Sequence, residues 1–526
     1  MLLQRILEIV PGSISLVTLS GIMILAFIQP VITAAIMIIF LYYWFLRMVY
    51  YSLCLLLAFF RLWVESETDW MERIKDICNK ASEKKDKKLS PKERLSLFFH
   101  YKSKKLLKRS NSTLPLLEEL IHLVIIPVYK ENREVFEPGI KALSESNYPS
   151  GKMIVILALE ELSPENIKKE AREVRNQYRP MFKEFFVTIH PADIAGEARV
   201  KGANITFAAK RAEKYFNKHN IAFENVIVSC FDADTVVGSS YFACLTYSFL
   251  VCPGRTRASF QPVPLYKNNI WRVPLYARIL EMGATSFQLI ESTNHDLLVS
   301  FSSHSMSFKA LADAGYWPVD MISDDSGIYW KSLLNFEGDF QVVPMPMTIS
   351  MDATESSGFF RTFTELYRQK RRWAWGVENL PLAIRGFMRA KKMRLKDKIK
   401  YSFKLFDTYF IWATMPILLM FLGLLPAIFG HFFKIDAVAI FNLGRITVLL
   451  FQLSSVMLII TVFITSFFLF KGSDHIPLYR KVLYPMEWIF FPFVTVFLTG
   501  FPALDAQIRM MLGKRMEFRA TEKVRG

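Results

Sequence analysis

Cysteine is scarce. The chain has five, Cys54, Cys78, Cys230, Cys244 and Cys252, with no Cys-x-x-Cys pair and no disulfide-like spacing. That excludes a disulfide-stapled secreted scaffold and implies no structural zinc, leaving reduced thiols in a cytosolic or lipid setting. Charge is absent from residues 12 to 46 and again from 446 to 470, so these stretches belong in lipid. A small-residue cleavage site is missing beside the first of them, and the run is far too long for a secretory signal. No nucleic-acid module is recognisable either, which argues against reading the formal net charge of +17 as a nucleic-acid footprint.

What is present is oily. Of 526 residues, 52% are hydrophobic and 46 are Phe, too many for one ordinary soluble domain. The apolar residues gather at the two ends, giving a layout of membrane, soluble domain, membrane. Gly12 to Phe60 is long enough for two spans, and a break near Gln29 and Pro30 makes them a hairpin. Tyr409 to Gly430 and Ile446 to Phe470 each match one span. Tyr484 to Pro502 carries Glu487 and three prolines, so it either spans with distortion or re-enters. Residues 84 to 109 hold eleven Lys or Arg against two acids, and a second basic run follows Arg385. Both adjoin spans, which by the positive-inside rule puts the central domain in the cytosol and favours contact with anionic membrane lipids. The expected division is a transmembrane hairpin at 1–64, a basic cytosolic linker at 65–118, a catalytic domain at 119–385, an amphipathic interface segment at 386–405 and a membrane region at 406–526.

The middle of the chain alternates strand and helix. Ile121 to Val128 reads as a buried strand, Met153 to Leu159 as a second and Asn225 to Phe231 as a third, with helices through about Leu143, over 163–178 and over Gly202 to Asn217. In open α/β sheets ligands collect beyond the carboxyl ends of the strands. Tyr129, Glu131, Glu160 and the pair Asp232 and Asp234 stand there. Two carboxylates flanking one residue offer hard oxygens to Mg2+ or Mn2+ and, through it, to a diphosphate; a turn rich in Asp is the plain alternative. Lys201 and Asn204, around Gly202 at a helix start, either reach a phosphate or form an exposed cap. Asp324 and Asp325 pair in the manner of a general base, with a helix N-cap at Ser323 or Asp324 as the alternative. Gln369, Arg372 and Trp373 lie on one helix, the guanidinium suiting a phosphate and the indole suiting a sugar ring; Trp373 and Trp375 are otherwise interface anchors. His304 either lines an acceptor cleft or is a buried, hydrogen-bonded histidine.

The ordered set Ile126-Pro-Val-Tyr-Lys-Glu131, Phe231-Asp-Ala-Asp234, Ile322-Ser-Asp-Asp325 and Gln369 to Trp373 resembles family 2 glycosyltransferases of the GT-A fold, most closely the membrane branch of cellulose, chitin and hyaluronan synthases. The resemblance covers most of residues 120 to 375. It implies a Rossmann-like, mostly parallel α/β domain flanked by transmembrane helices in a multi-pass cell-membrane protein. It further implies inverting transfer from a nucleotide sugar, a UDP-sugar in most of the branch, to a growing polysaccharide. Tyr129, Glu131, Glu160 and Asp232 would bind the donor, Asp232 and Asp234 the metal, and Gln369 and Arg372 the leaving diphosphate. Asp325, with Asp324 beside it, would be the catalytic base, and Trp373 would face the acceptor; the local readings add Lys201 and Asn204 as candidate donor contacts and leave His304 between an acceptor contact and a buried histidine. Lys130, Glu160 and Ser323-Asp324 depart from the residues usual in the family. Two other readings stay open: transfer of one or a few sugars to a lipid-linked or short glycan, and a non-catalytic nucleotide-sensing scaffold. An accessory subunit is compatible with each.

Overall fold

Strand formation follows from alternation of buried apolar side chains on both faces. In β1 (Ile121–Val128), Val124, Ile126 and Val128 enter one core while Ile121, Leu123 and Ile125 enter another. In β2 (Met153–Glu160), Met153, Val155, Leu157 and Leu159 face the first core and Ile154, Ile156 and Ala158 the second. Strands buried on both faces are what a parallel sheet covered by helices requires. The computed structural model describes residues 2–78, 89–110, 113–434, 437–470 and 476–516, so residues 84–88 of the basic run lie outside the described residues.

The remaining strands are β3 (Glu184–His190), β4 (Val226–Cys230), β5 (Val236–Val237), β6 (Ala258–Tyr266), β7 (Ser305–Ser307) and β8 (Gln341–Met351). They form one sheet in the order β3-β2-β1-β4-β7-β6-β8-β5. Pairs β3-β2, β2-β1, β1-β4 and β6-β8 are parallel, while β7 runs antiparallel to both neighbours and β5 antiparallel to β8. The carboxyl ends of β1, β2, β4 and β8 and the amino end of β7 all reach the same edge.

Helices Arg133–Ser144, Glu165–Tyr178 and Tyr241–Val251 cover one face, and Lys201–Lys218, Asp324–Asn335 and Asn379–Arg389 the other. The expected α/β class, a mostly parallel sheet flanked by membrane-length helices, is the fold observed. Among the described residues, five helical stretches are long and apolar enough to cross a membrane: Leu2–Ile28, Pro30–Glu65, Leu395–Phe432, Val438–Phe470 and Leu478–Met511. The hairpin breaks where expected, at Gln29, with Pro30 opening the second helix, where its missing N–H costs nothing. The stretch from Leu395 runs unbroken past residue 405 into a span. Tyr484 to Pro502 sits inside a continuous helical stretch that accommodates its prolines through a 3-10 turn and a π turn, Val496–Gly500.

Between the hairpin and the sheet lies more than a linker. Helix Pro91–Arg109 starts at a capping box in which Ser90 Oγ accepts from the Glu93 amide and Glu93 accepts from the Ser90 amide. His100 bonds Tyr247 of the sheet-covering helix at 2.8 Å and Asp76 at 2.7 Å, fixing this arm to the domain.

Candidate active site

At the common strand edge the chain assembles a cluster of acids around one ammonium. Lys201, the first residue of its helix, places Nζ 2.9 Å from Asp232, 3.2 Å from both oxygens of Asp325 and 3.6 Å from Asp324. Burial alone would pull the Lys201 pKa down, but Asp232, Asp324 and Asp325 hold it well above its ordinary value. Asp324 is buried in the first helical turn, and desolvation together with the charge of Asp325 pushes its pKa up to about 7, with Lys201 opposing. Asp325 is the more open of the two, its side chain 22% exposed.

The β4 end is braced from β7. Ser302 Oγ donates to Asp232 Oδ2 at 2.5 Å, and Ser303 Oγ accepts from the Asp232 amide while bonding Thr235. Ser303 sits at φ 60°, a left-handed conformation that a serine adopts only when its surroundings enforce it. Asp234 is buried and accepts at Oδ2 from the Asp352 amide at 2.9 Å. Asp352 caps β8 and accepts from Asn268, so a further carboxylate borders the pair.

Helix Phe359–Ala374 supplies the other wall. Arg372 lies close enough to Asp232, Asp324, Asp325 and Glu131 for their charges to oppose the downward pull of burial on its pKa. Gln369 keeps a buried Oε1 with no hydrogen-bond partner among the described residues. Tyr129, Glu131, Glu160, Lys201, Asn204, Asp232, Asp234, Asp324, Asp325, Gln369, Arg372 and Trp373 all line one cavity of about 1080 Å³. That volume is at the upper end for a small-molecule pocket. The cavity does not stop at the sheet. It continues between the membrane-length helices, past Leu41 and Phe45, Trp412 and Leu419, Thr447 and Phe451, and Pro492 and Thr499.

Several expectations change at the level of contacts. His304 does not line the cavity. It is buried behind Asp325, its Nδ1 donating to the Phe301 carbonyl at 3.1 Å and standing 3.7 Å from Asp325, and burial lowers its pKa. The acceptor-facing reading of His304 therefore gives way to a buried support. Gly202 makes its close approach to protein: a Cβ there would stand 2.1 Å from the Pro318 carbonyl oxygen. Asn204 donates to the Ala158 carbonyl at 2.8 Å, pinning the helix to β2. Ser323 is the residue before the helix, but its hydroxyl donates to Glu378 and makes no cap. Glu131 turns its carboxylate onto the amides of Tyr129 and Lys130. Glu160 has its pKa raised, first by burial.

Ser302, Ser303, Asp352 and Glu281 escaped the sequence reading, and Lys370 entered it only as part of Gln369 to Trp373. No local pattern marks them; only the Asp352 position, one residue past an apolar strand, carried the same signal as Asp232.

Among the described residues no group of three or more His, Cys, Asp or Glu is arranged to hold a metal ion. The donor set nevertheless suits one. Asp232, Asp234, Asp324 and Asp325 outweigh Lys201 and Arg372 in charge, and hard oxygens from one or two carboxylates plus substrate phosphates are the usual setting of Mg2+.

Residues 227–471, a little under half of the chain, match the family described as "Glycosyl transferase family group 2". No curated protein matches the sequence. Among solved structures, the chain is similar to the mannosyltransferase PcManGT from Pyrobaculum calidifontis, in complex with GDP-Man and Mn2+, at 15% identity over 72% of this chain and 95% of that one, with a TM-score of 0.41. It is similar to S. aureus TarS 1–349 in complex with UDP at 10% identity, covering 57% and 75% of the two chains with a TM-score of 0.35. GalNAc-T7 with UDP, GalNAc and Mn2+ matches at 10% identity over 63% and 66%, with a TM-score of 0.29.

Proposed function

We propose that this glycosyltransferase, whose family 2 region spans residues 227–471, transfers a sugar with inversion from a nucleotide sugar to a growing glycan held in its own membrane part. One observation carries the reading: the cavity that holds Asp232, Asp325 and Arg372 is continuous with a space between the membrane-length helices. The space is lined mainly by apolar and aromatic side chains, with Trp412, Thr447 and Thr499 among its polar points.

In this reading Tyr129, Glu131 and Glu160 border the nucleoside, and Asp232 and Asp234 would hold Mg2+ or Mn2+. When bound, the ion offsets charge on the diphosphate. Asp325 accepts the proton of the acceptor hydroxyl as its oxygen attacks the anomeric carbon, and the bond electrons of the carbon-oxygen link depart with the diphosphate. Arg372, Lys201 and the Gln369 amide stabilise that leaving charge, the kind of preorganised electrostatics that contributes most to rate. Trp373 stacks on the acceptor sugar. The basic segments beside the spans favour a cytosolic catalytic domain.

Sizing the products formed by the full chain in nanodiscs from labelled UDP-glucose, UDP-N-acetylglucosamine and GDP-mannose tests the polymer reading. Chains of many sugars are expected. A product of a single sugar on a lipid would overturn it and favour the lipid-linked acceptor.

A further inference from the structure

Within Gln369 to Trp373, Lys370 points away from the acids. Its ammonium lies 2.8 Å from Glu281, with side-chain exposures of 3% and 1%, and 3.5 Å from the centroid of the Trp373 ring. Residues three apart share a helix face, so the lysine caps one face of the indole. Tyr266 and Phe301 enclose the same ring at centroid distances of 6.2 and 5.7 Å. Glu281 belongs to helix Leu275–Glu291, whose Gly283, Phe287 and Ile290 line the cavity.

A buried ion pair is a poor source of stability, since an apolar pair of the same shape does as well or better. A cation over an indole face, in contrast, fixes ring orientation electrostatically, most strongly when desolvated. Resting on the acceptor reading of Trp373, we infer that Glu281 and Lys370 are positioning residues that hold this indole in the orientation that receives the acceptor sugar, so that the pair sets acceptor affinity. Glu281 neutralises and orients the ammonium, the ammonium orients the ring, and the ring meets the glycan.

The test uses the full chain in nanodiscs, whichever of UDP-glucose, UDP-N-acetylglucosamine and GDP-mannose it turns over, and cello-, chito- or manno-oligosaccharide as added acceptor. The double variant Glu281→Gln/Lys370→Met leaves no orphaned buried charge and is expected to fold. Its acceptor KM rises about tenfold while kcat and donor KM change by less than about twofold, the split that marks lost ground-state positioning. Lys370→Arg, which keeps a cation over the ring, restores most of the acceptor affinity. A double variant with wild-type acceptor KM, or one whose donor and acceptor KM values rise together, overturns the inference. Trp373→Leu separates the two levels: unchanged acceptor KM there sinks the acceptor reading of Trp373, whereas a raised KM there beside an unchanged one in the double variant sinks the positioning role alone.

Discussion

Asp324 and Asp325 are consecutive, occupy the same first helical turn and border the same cavity, but Asp324 is the more deeply buried. Asp324 is a carboxyl raised from 3.8 to about 7. A group whose folded pKa lies above its unfolded one contributes stability that is full below the unfolded value and lost as pH rises through the folded value. The protein without donor or metal should therefore lose stability between about pH 4 and pH 7 through Asp324, by a few kcal/mol at most. Thermal unfolding measured across that range should show Tm falling with pH in the wild type and a flatter profile in Asp324→Asn; equal slopes would contradict the assignment. Much at this scale was legible, because acids directly after apolar strand runs announce themselves. The position of Lys201 was not. Its partners are 31 and 124 residues away, and a helix-start lysine reads the same in sequence whether it meets solvent or three carboxylates. Ser303 gives no warning of its left-handed backbone, and the orientation of His304 behind Asp325 depends on the pairing of β7 with β4, 76 to 80 residues earlier in the chain.

Among the elements, helix Phe359–Ala374 connects chemistry to membrane. Its Arg371, next to Arg372, bonds Asp505 of the last membrane-length stretch at 2.8 Å, and Arg509 shares that carboxylate at 2.7 Å. Partly exposed pairs of this kind contribute only about 0–1 kcal/mol to stability, yet displacing a catalytic helix by about 1 Å can cost around a hundredfold in rate. Asp505→Asn should consequently lower the transfer rate by at least about tenfold while Tm moves little; a rate loss that merely tracks unfolding would remove the role. Strands β1, β2 and β4, helices Arg133–Ser144, Glu165–Tyr178 and Lys201–Lys218 and the break at Gln29 were readable from periodicity and proline, whereas β6, β8 and helix Tyr241–Val251 went unread. The short β7 was not, since Ser305 to Ser307 has no apolar alternation and is a strand only because β4 and β6 flank it. The π turns Leu418–Leu422 and Val496–Gly500 were equally hidden, though residues of both line the cavity, as such turns often do at functional sites.

For the whole molecule, the sequence supplied the membrane, soluble, membrane layout, but not the fact that the two halves share one interior. That continuity arises from helices Pro30–Glu65 and Val438–Phe470, far apart in the chain, packing along each other beside the strand edge. In the proposed function, Asp325 would be the base for an acceptor arriving from the membrane side and Asp232 with Asp234 would hold the metal on the donor side. The most direct test is nucleoside diphosphate release coupled to product growth by the full chain, with Mn2+ or EDTA, in wild type and Asp325→Asn. Metal-dependent release and growth in the wild type, both reduced by roughly 100-fold or more in the variant, is the result the account predicts. Growth that proceeds unchanged in EDTA or in Asp325→Asn would contradict it.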